Sequence, residues 1–292
     1  MYELIGINEN DYYVDCPAKI GIVKISENEV VLIDSGNDKD AGKKVLRILE
    51  AKGWKLLAIY NTHSHADHIG GNRFLQERTG CRVYAKGIEA AYTNFPILEP
   101  VGLYGGLPMK ELKHKFLMAQ SSTAEELQEL QLPSGMKALP LPGHSGDMVG
   151  FLTKDGTAYI ADCISSEETL EKYGIGYMWD PETAKKTLAY LKTLQAKCYV
   201  PSHAPVTDDI AAIADKNVNF IDRVFDTILS LCTEAVSFDG LVKKVFDVFG
   251  MQSSMQQYAL IGSTLRSYLT NLCEQGKIRY DFVENALLWK TV

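Results

Sequence analysis

A dense group of metal-ligand side chains lies at His63-Ser64-His65-Ala66-Asp67-His68. The chain of 292 residues has six histidines, and three of them fall within these six positions. Two histidines separated by one residue on an extended segment point the same way and can bind one ion, while Asp67 and His68 can face a second. Imidazole suits zinc, iron or manganese, and a carboxylate adds charge neutralisation. The pattern predicts a metal centre, in preference to three surface histidines beside a helix-capping aspartate.

Three further ligand-type residues follow strand-like segments later in the chain. His144 lies in the turn 142–146, Asp162 ends the segment 158–161, and His203 comes shortly after 198–200. Taken alone, each would be interpreted as a structural or solvated residue. Together with the first group they make seven ligand-type residues, which is enough for a two-metal site with open coordination positions.

The elements that must position these residues alternate between strands and helices. Apolar and β-branched runs predict strands at 12–16, 20–25, 29–33, 56–60, 82–85, 138–141, 148–153, 157–161 and 198–200. Apolar residues at helical spacing predict helices at 38–51, 87–94, 180–194 and 208–234. Because α/β proteins place their sites at the carboxyl ends of strands, the positions of the ligand-type residues fit a functional site.

The segment 95–135 is long and has little regular pattern, with four prolines and a glycine-rich stretch at 102–106. Such a segment is usually functional, so we expect a lid or substrate-binding insertion over the metal centre, with one helix near 123–130. Its large apolar residues predict an apolar wall for a small organic substrate, with packing onto the body as the alternative; they are Phe95, Tyr104, Leu107, Met109, Phe116 and Met118. His114, between two lysines, is expected to be solvated.

The last part of the chain has a pattern of its own. Helices are predicted at 238–249 and 254–275, followed by strands at 277–280 and 286–289 around Glu284-Asn285. This is the order of a winged helix, so we expect a catalytic domain at 1–234 and a winged-helix-like domain at 235–292. The tail has six basic and five acidic residues, which is far from a basic stripe. Structural packing or homodimerisation is favoured over contact with nucleic acid.

The amino-acid composition is typical of a globular protein and argues against a membrane protein or a dedicated nucleic-acid binder. A hydrophobic fraction of 46% and a charged fraction of 23% are ordinary for a globular domain, and no apolar run is long enough to predict a membrane span. The net charge of −7 argues against a dedicated nucleic-acid binder. Six scattered cysteines with no CxxC spacing, and no recognisable export signal, predict reduced thiols and a cytoplasmic location.

The motifs resemble those of the metallo-β-lactamase fold superfamily of hydrolases, whose HxHxDH signature matches residues 63–68. Later motifs match at Gly143-His144-Ser145, Ala161-Asp162-Cys163 and Ser202-His203, and the early aspartate of the family matches Asp34. The resemblance covers about residues 10–205 and has five motifs in the family's order. It implies an α/β fold, an αββα sandwich with the site along one sheet edge.

The resemblance also implies a role for each site residue. His63, His65 and His144 would bind a first metal ion, and Asp67, His68 and His203 a second. Asp162 would bridge both ions, and Asp34 would orient a ligand through a hydrogen bond. Two zinc ions are the expected cofactors, with iron or manganese as alternatives. A water shared by the two ions would supply the hydroxide nucleophile, and Asp67 would help to orient it.

One fold hosts many reactions, so the family alone does not define the substrate. The favoured hypothesis is a binuclear hydrolase of a small ester, thioester or lactone, which requires two metal ions and an enclosed, partly apolar pocket. A single-strand nuclease of the same fold would require a positively charged groove that leads to the metals. A mononuclear iron persulfide dioxygenase would require one iron ion and oxygen.

Overall fold

The computed structural model describes residues 2–292, in which a seven-stranded sheet carries the first part of the chain. Its strands lie side by side in chain order: β1 (Glu3–Gly6), β2 (Asp11–Asp15), β3 (Ile20–Lys24), β4 (Glu29–Ile33), β5 (Lys55–Tyr60), β6 (Arg82–Ala85) and β7 (Ala124–Glu126). Strands β1 to β4 pair antiparallel, and β4 to β7 pair parallel. The parallel half directs the ends of β4 and β5 to the same edge.

A second sheet of four strands packs against the first. It has the order β11-β10-β9-β8, with β8 (Lys137–Pro140), β9 (Val149–Leu152), β10 (Thr157–Tyr159) and β11 (Cys198–Val200). Only β10 and β11 pair parallel. Side chains from both sheets meet in one buried apolar cluster, where the ring centroids of Tyr60 and Phe151 are 5.8 Å apart.

The described residues form ten α-helices, some of which cover the outer faces of the two sheets. They are α1 (Lys39–Lys52), α2 (Ala66–Ile69), α3 (Asn72–Thr79), α4 (Gly87–Asn94), α5 (Leu98–Tyr104), α6 (Glu167–Tyr173), α7 (Pro181–Leu191), α8 (Ala211–Leu231), α9 (Phe238–Phe249) and α10 (Met255–Glu274). Helices α1 and α3 bury Val45, Leu49 and Leu75 against the first sheet, and α7, α8 and α10 share a core with the second. The predicted αββα sandwich is therefore confirmed.

Local sequence explains where the main helices begin and end. The Asp38 side chain accepts hydrogen bonds from the backbone of residues 40 and 41 at the start of α1, which ends at Gly53 with a φ of 67°. Asp180 caps α7 in the same way, with Pro181 in its first turn. Both helices were predicted, at 38–51 and 180–194, from apolar residues at helical spacing.

The prediction of a helix near 123–130 is wrong. Residues 124–126 form β7, which pairs parallel with β6. The side chain of Asn94 bonds to both backbone groups of Ala124, and Gln76 bonds to both backbone groups of Thr123. These distant partners hold the segment extended and override its weak helical pattern. Helices α2, α3, α5 and α6 and strands β1, β7 and β12 were not predicted.

The C-terminal part has the predicted order of two helices and a hairpin. A small sheet has the order β12-β14-β13, with β12 (Val236–Ser237), β13 (Ile278–Val283) and β14 (Ala286–Thr291). Glu284 and Asn285 form its turn with φ values of 50° and 66°, as a two-residue hairpin requires. Helix α10 shares a core with α7 and α8, so the division into domains at residue 235 stays a prediction.

Two further observations concern membrane-spanning helices and the cysteines. Among residues 2–292, no helix is both long and apolar enough to span a bilayer. All six cysteines are free thiols.

Candidate metal centre

The candidate metal centre lies where five strand ends and loops of the two sheets meet. Asp34 follows β4, the 63–68 segment follows β5, His144 lies between β8 and β9, Asp162 follows β10 and His203 follows β11. The seven predicted ligand residues all come together in three overlapping sets of three, which form two larger groups on either side of Asp162. His114 lies outside these groups, and its Nδ1 accepts a hydrogen bond from the backbone of Phe116.

The first group consists of three histidines and one oxygen of Asp162. His65 Nδ1 lies 3.0 Å from His63 Nε2 and 3.0 Å from His144 Nε2. Asp162 Oδ2 lies 3.5 Å from His144 Nε2 and 3.9 Å from His63 Nε2. Ligand atoms at 2.0–2.1 Å from one tetrahedral zinc ion are about 3.3 Å apart. These distances lie close to that spacing, so the three histidine nitrogens can bind one ion with Asp162 beside them.

The second group shares Asp162 with the first. His68 Nε2 lies 3.2 Å from Asp162 Oδ1, and His203 Nε2 lies 3.3 Å from Asp162 Oδ2. Asp67 Oδ2 is 3.2 Å from His203 Nε2 and 3.7 Å from His68 Nε2. The spacing again fits one ion, and Asp162 faces both groups, as a bridging carboxylate must.

Two buried polar atoms of this cluster have no hydrogen-bond partner among the described residues: His68 Nε2 and Asp162 Oδ1. They lie 3.2 Å apart, but not in the alignment that a hydrogen bond requires. Leaving such atoms unpaired is costly, and native structures rarely do so. Because both atoms are of types that bind metals and they face each other, the cluster fits the metal that the sequence predicts.

The two groups differ in protonation. Burial lowers the pKa of His63 well below its ordinary value and lowers those of His65 and His144 to about 4, so all three are neutral. Burial opposes a charge on His203 as well, but Asp162 and Asp67 outweigh it and raise its pKa to about 10. The same carboxylates, with Asp34, outweigh burial at His68 and raise its pKa well above the ordinary value. The carboxylates of the second group thus favour a positive charge at His68 and His203.

Hydrogen bonds outside the cluster fix the orientation of its side chains. The Asp34 carboxylate accepts from His68 Nδ1 and from the backbone and hydroxyl of Thr62, each at 2.8 Å. His203 Nδ1 donates to the carbonyl of Pro17 at 2.9 Å. Each bond occupies one ring nitrogen and directs the other at the cluster, which is the usual support of metal-binding histidines.

Glu89 is a site residue that sequence reasoning missed. Only 1% of this α4 residue is exposed, and its carboxylate accepts hydrogen bonds from Ser64 N at 2.9 Å, Ser64 Oγ at 2.6 Å and Asp147 N at 3.1 Å. It also accepts a bond from the Ser145 hydroxyl. Ser64 follows His63 and Ser145 follows His144, so Glu89 ties together the two loops of the first group. The two serines beside ligand histidines were the only sequence signal.

Glu99 and Tyr177 were missed as well. The Tyr177 ring contacts His65 and His144 edge to face, with centroids 5.0 and 5.8 Å apart. Glu99, on α5, places its Oε1 3.9 Å from His65 Nε2. Burial and the nearby Glu89 carboxylate raise the pKa of Glu99 to about 8. Nothing in the local sequence places these residues near the histidines.

Three openings reach the cluster. A cavity of about 320 Å³ borders His144, Asp162 and His203 and has mostly apolar walls. A smaller cavity of about 180 Å³ borders His65, and an open groove passes Asp67 and His203.

The apolar wall predicted from 95–135 is not observed. Of its six residues, only Phe116 lies on the open groove, and none lines either cavity. Phe95, Leu107 and Phe116 are exposed. The apolar wall of the larger cavity comes instead from residues 142–188 and from helices α8 and α10.

Comparison with known proteins gives sequence and structural relatives. Residues 14–203 match the family described as the metallo-beta-lactamase superfamily. The hydroxyacylglutathione hydrolase of Methylococcus capsulatus is 29% identical over 158 residues, which are 53% of this chain and 51% of that protein. The probable metallo-hydrolase YqgX of Bacillus subtilis is 29% identical over 153 residues, 52% of this chain and 66% of that protein. The chain thus spans between half and two thirds of the length of these two relatives.

Two solved structures resemble the protein over nearly its whole length. A beta-lactamase domain protein from Burkholderia ambifaria has a TM-score of 0.75 and 14% identity, and the likeness covers 99% of this chain and 94% of that one. A metallo-beta-lactamase family protein from Thermus thermophilus has a TM-score of 0.73 and 16% identity, over 100% and 98%. At such low identity, the likeness shows the fold alone.

Proposed function

Because the chain belongs to the metallo-beta-lactamase superfamily, we propose that it is a binuclear zinc hydrolase of a small ester, thioester or lactone. The observation that carries this proposal is the pair of ligand groups that share Asp162. Each group offers nitrogen and oxygen atoms at the spacing of a zinc coordination sphere. In this proposal, His63, His65 and His144 hold one ion, and Asp67, His68 and His203 hold the other.

Bound zinc would supply Lewis acidity, which polarises a carbonyl oxygen and brings the pKa of a coordinated water toward neutrality. The protein's own residues would exclude bulk water and orient the attacking water. His63 and His68 are fully buried, which keeps bulk water from their ring nitrogens. The Asp67 side chain is 40% exposed and faces the open groove, where it orients the attacking water.

The larger cavity supports a small organic substrate. Its volume of about 320 Å³ lies at the lower end of the range for ligand pockets, and its apolar walls border the cluster directly. A short acyl group fits this space with its carbonyl near Asp162 and His144. Several relatives are named hydroxyacylglutathione hydrolase, and a hydroxyacylglutathione is a thioester. A thioester is therefore the first substrate class to test.

The open groove does not favour the nuclease alternative. A polyanionic strand requires a basic path to the metals, but acidic residues outnumber basic ones on this groove. The charged residues that line it are Asp15, Lys19, Asp67, Glu167, Glu168 and Lys172. The two complete ligand groups likewise favour two metal ions over the single iron of a dioxygenase.

We also propose a cytoplasmic location, which the six free thiols support. Thiols remain reduced in the cytosol, whereas secreted proteins usually oxidise them in pairs.

Elemental emission analysis of the purified protein, with a panel of chromogenic esters, thioesters, lactones and phosphodiesters, tests the proposal. We expect two equivalents of zinc and hydrolysis of a carboxylic substrate. Asp162→Ala, which removes the shared ligand, should lose both. One equivalent of iron without hydrolysis, or turnover of phosphodiesters alone, would contradict the proposal.

A further inference from the structure

The smaller cavity, on the His65 side of the cluster, has an unusual lining. Its walls include two carboxylates and three aromatic rings: Glu89, Glu99, Tyr92, Tyr177 and Trp179. Neither lysine nor arginine lines it within the described part of the chain. Such a lining repels anions and attracts a positively charged group.

The two carboxylates differ in how many hydrogen bonds they accept. Glu89 accepts four hydrogen bonds from Ser64, Ser145 and Asp147. Glu99 accepts no hydrogen bond from a described residue, and its Oε1 lies 3.9 Å from His65 Nε2. That separation is too long for a hydrogen bond. Glu99 is therefore the carboxylate with free capacity, and it lies on the wall of the cavity.

The aromatic rings of the cavity wall also favour a positively charged ligand. Tyr177 is held by its edge-to-face contacts with His65 and His144, and Trp179 is half exposed, as at a cavity mouth. The faces of tryptophan and tyrosine attract cations, and several rings together form the cages that recognise methylated ammonium groups. Three rings with one unpaired carboxylate match this type of ligand.

We propose that the cavity beside His65 binds a quaternary ammonium group of the substrate, with Glu99 as its counter-charge. This proposal rests on the proposed hydrolase function and names its substrate class: a small ester or thioester with a quaternary nitrogen a few atoms from the scissile carbonyl. A primary ammonium would bring three donors, whereas a quaternary nitrogen brings none and needs only ring faces and one negative charge. At about 180 Å³ the cavity holds one such group and not a whole substrate.

Equilibrium binding tests the cavity directly, without turnover. The probes are choline and its uncharged isostere 3,3-dimethylbutan-1-ol, titrated calorimetrically into the zinc-loaded protein. We expect choline to bind at least about tenfold more tightly than the isostere, and Glu99→Gln to abolish most of this preference. Glu111→Gln, an exposed glutamate of the same segment, is the matched control and should bind like the wild type. Equal binding of the two probes would overturn the proposal.

Turnover provides a second, separable readout. Acetylthiocholine and S-(3,3-dimethylbutyl) thioacetate differ only in the charged nitrogen. We expect a higher kcat/KM for the charged ester, mainly through a lower KM, and a ratio near one in Glu99→Gln. Hydrolysis of both esters at equal efficiency would overturn the ammonium site but not the hydrolase function. Hydrolysis of neither would count against the hydrolase function, and choline binding would still decide the site.

Zinc content distinguishes the proposed role of Glu99 from a merely structural one. A carboxylate that oriented His65 would be needed for metal binding. Glu99→Gln should retain two equivalents of zinc while it loses the preference for the charged probe. Loss of zinc with an unchanged preference would overturn the proposal.

Discussion

His68 donates from Nδ1 to the carboxylate of Asp34 over 2.8 Å, and both residues are buried. Asp34 holds a φ of 63° to make this bond, in the left-handed region that asparagine and aspartate tolerate better than most residues. The bond directs His68 Nε2 at Asp162. One residue outside the ligand set thus determines which ring nitrogen the second group presents.

Replacing that carboxylate should weaken metal binding without removing a ligand. We expect Asp34→Asn, which tolerates the same backbone conformation, to reduce zinc affinity about 10- to 100-fold. Competition with a chelating dye would measure this change. The control is Asp40→Asn, which replaces an exposed aspartate in the first turn of α1. An unchanged zinc affinity in Asp34→Asn would refute the orienting role.

Removing ligands should separate the two metal positions. His144→Ala should lose zinc from the first group only, because His144 belongs to that group. Asp162→Ala should lose both ions and the activity, because Asp162 faces both groups. Elemental analysis would count the ions, and circular dichroism would show whether the helices, including α9 and α10, remain folded. Retained activity in either variant would break the ligand assignment.

Glu89 should be needed for both stability and metal binding. In Glu89→Gln, an amide NH₂ replaces one acceptor oxygen and leaves buried donors of Ser64, Ser145 or Asp147 unpaired. Such a defect costs about 1–3 kcal/mol, measurable by urea unfolding of the zinc-free protein. Zinc affinity of the first histidine group should fall in parallel, since the loops after His63 and His144 lose their common anchor. Glu111→Gln should change neither quantity.

Zinc binding should release protons. In the metal-free protein the pKa of His203 is about 10 and that of His68 is raised well above its ordinary value, so both are charged at pH 7.5. A metal ligand must be neutral, and we expect about two protons to leave as both sites fill. Since protons compete with zinc below these pKa values, affinity should rise from pH 6 to pH 9. Calorimetry in buffers of different ionisation enthalpy counts the protons, and a count of zero would contradict the assigned protonation.

The family resemblance implied the sandwich, and local patterns predicted that the candidate ligands, each after a strand-like segment, lie close together. Each ligand follows a short apolar strand, and the strand ends meet at one edge once the two sheets pack. Glu89 depends on no local pattern: its donors lie 25 and 56 residues away. The prediction of a helix near 123–130 was wrong because long-range contacts decide the structure there: hydrogen bonds from the side chains of Asn94 and Gln76 hold that segment extended.

The substrate wall was misplaced because exposure depends on the whole fold. Apolar residues in 95–135 were expected to face the metals, but α5 turns Glu99 and Leu103 toward the smaller cavity instead. Leu103, Leu112 and Leu117 pack against Ala259 of α10. No local pattern in either segment indicates this contact between the insertion and the tail.

Helix α10 contributes Ser263 to the smaller cavity and Tyr268 to the larger one, while every ligand residue lies between 63 and 203. The tail thus adds single wall residues to cavities that are otherwise lined mainly by the stretch 63–203, which also carries the candidate ligands. Mutations confined to this C-terminal helix can shift which molecules are accepted while the metal ligands stay in place. Varying Ser263 and Tyr268 would test how far this helix affects which substrates are accepted.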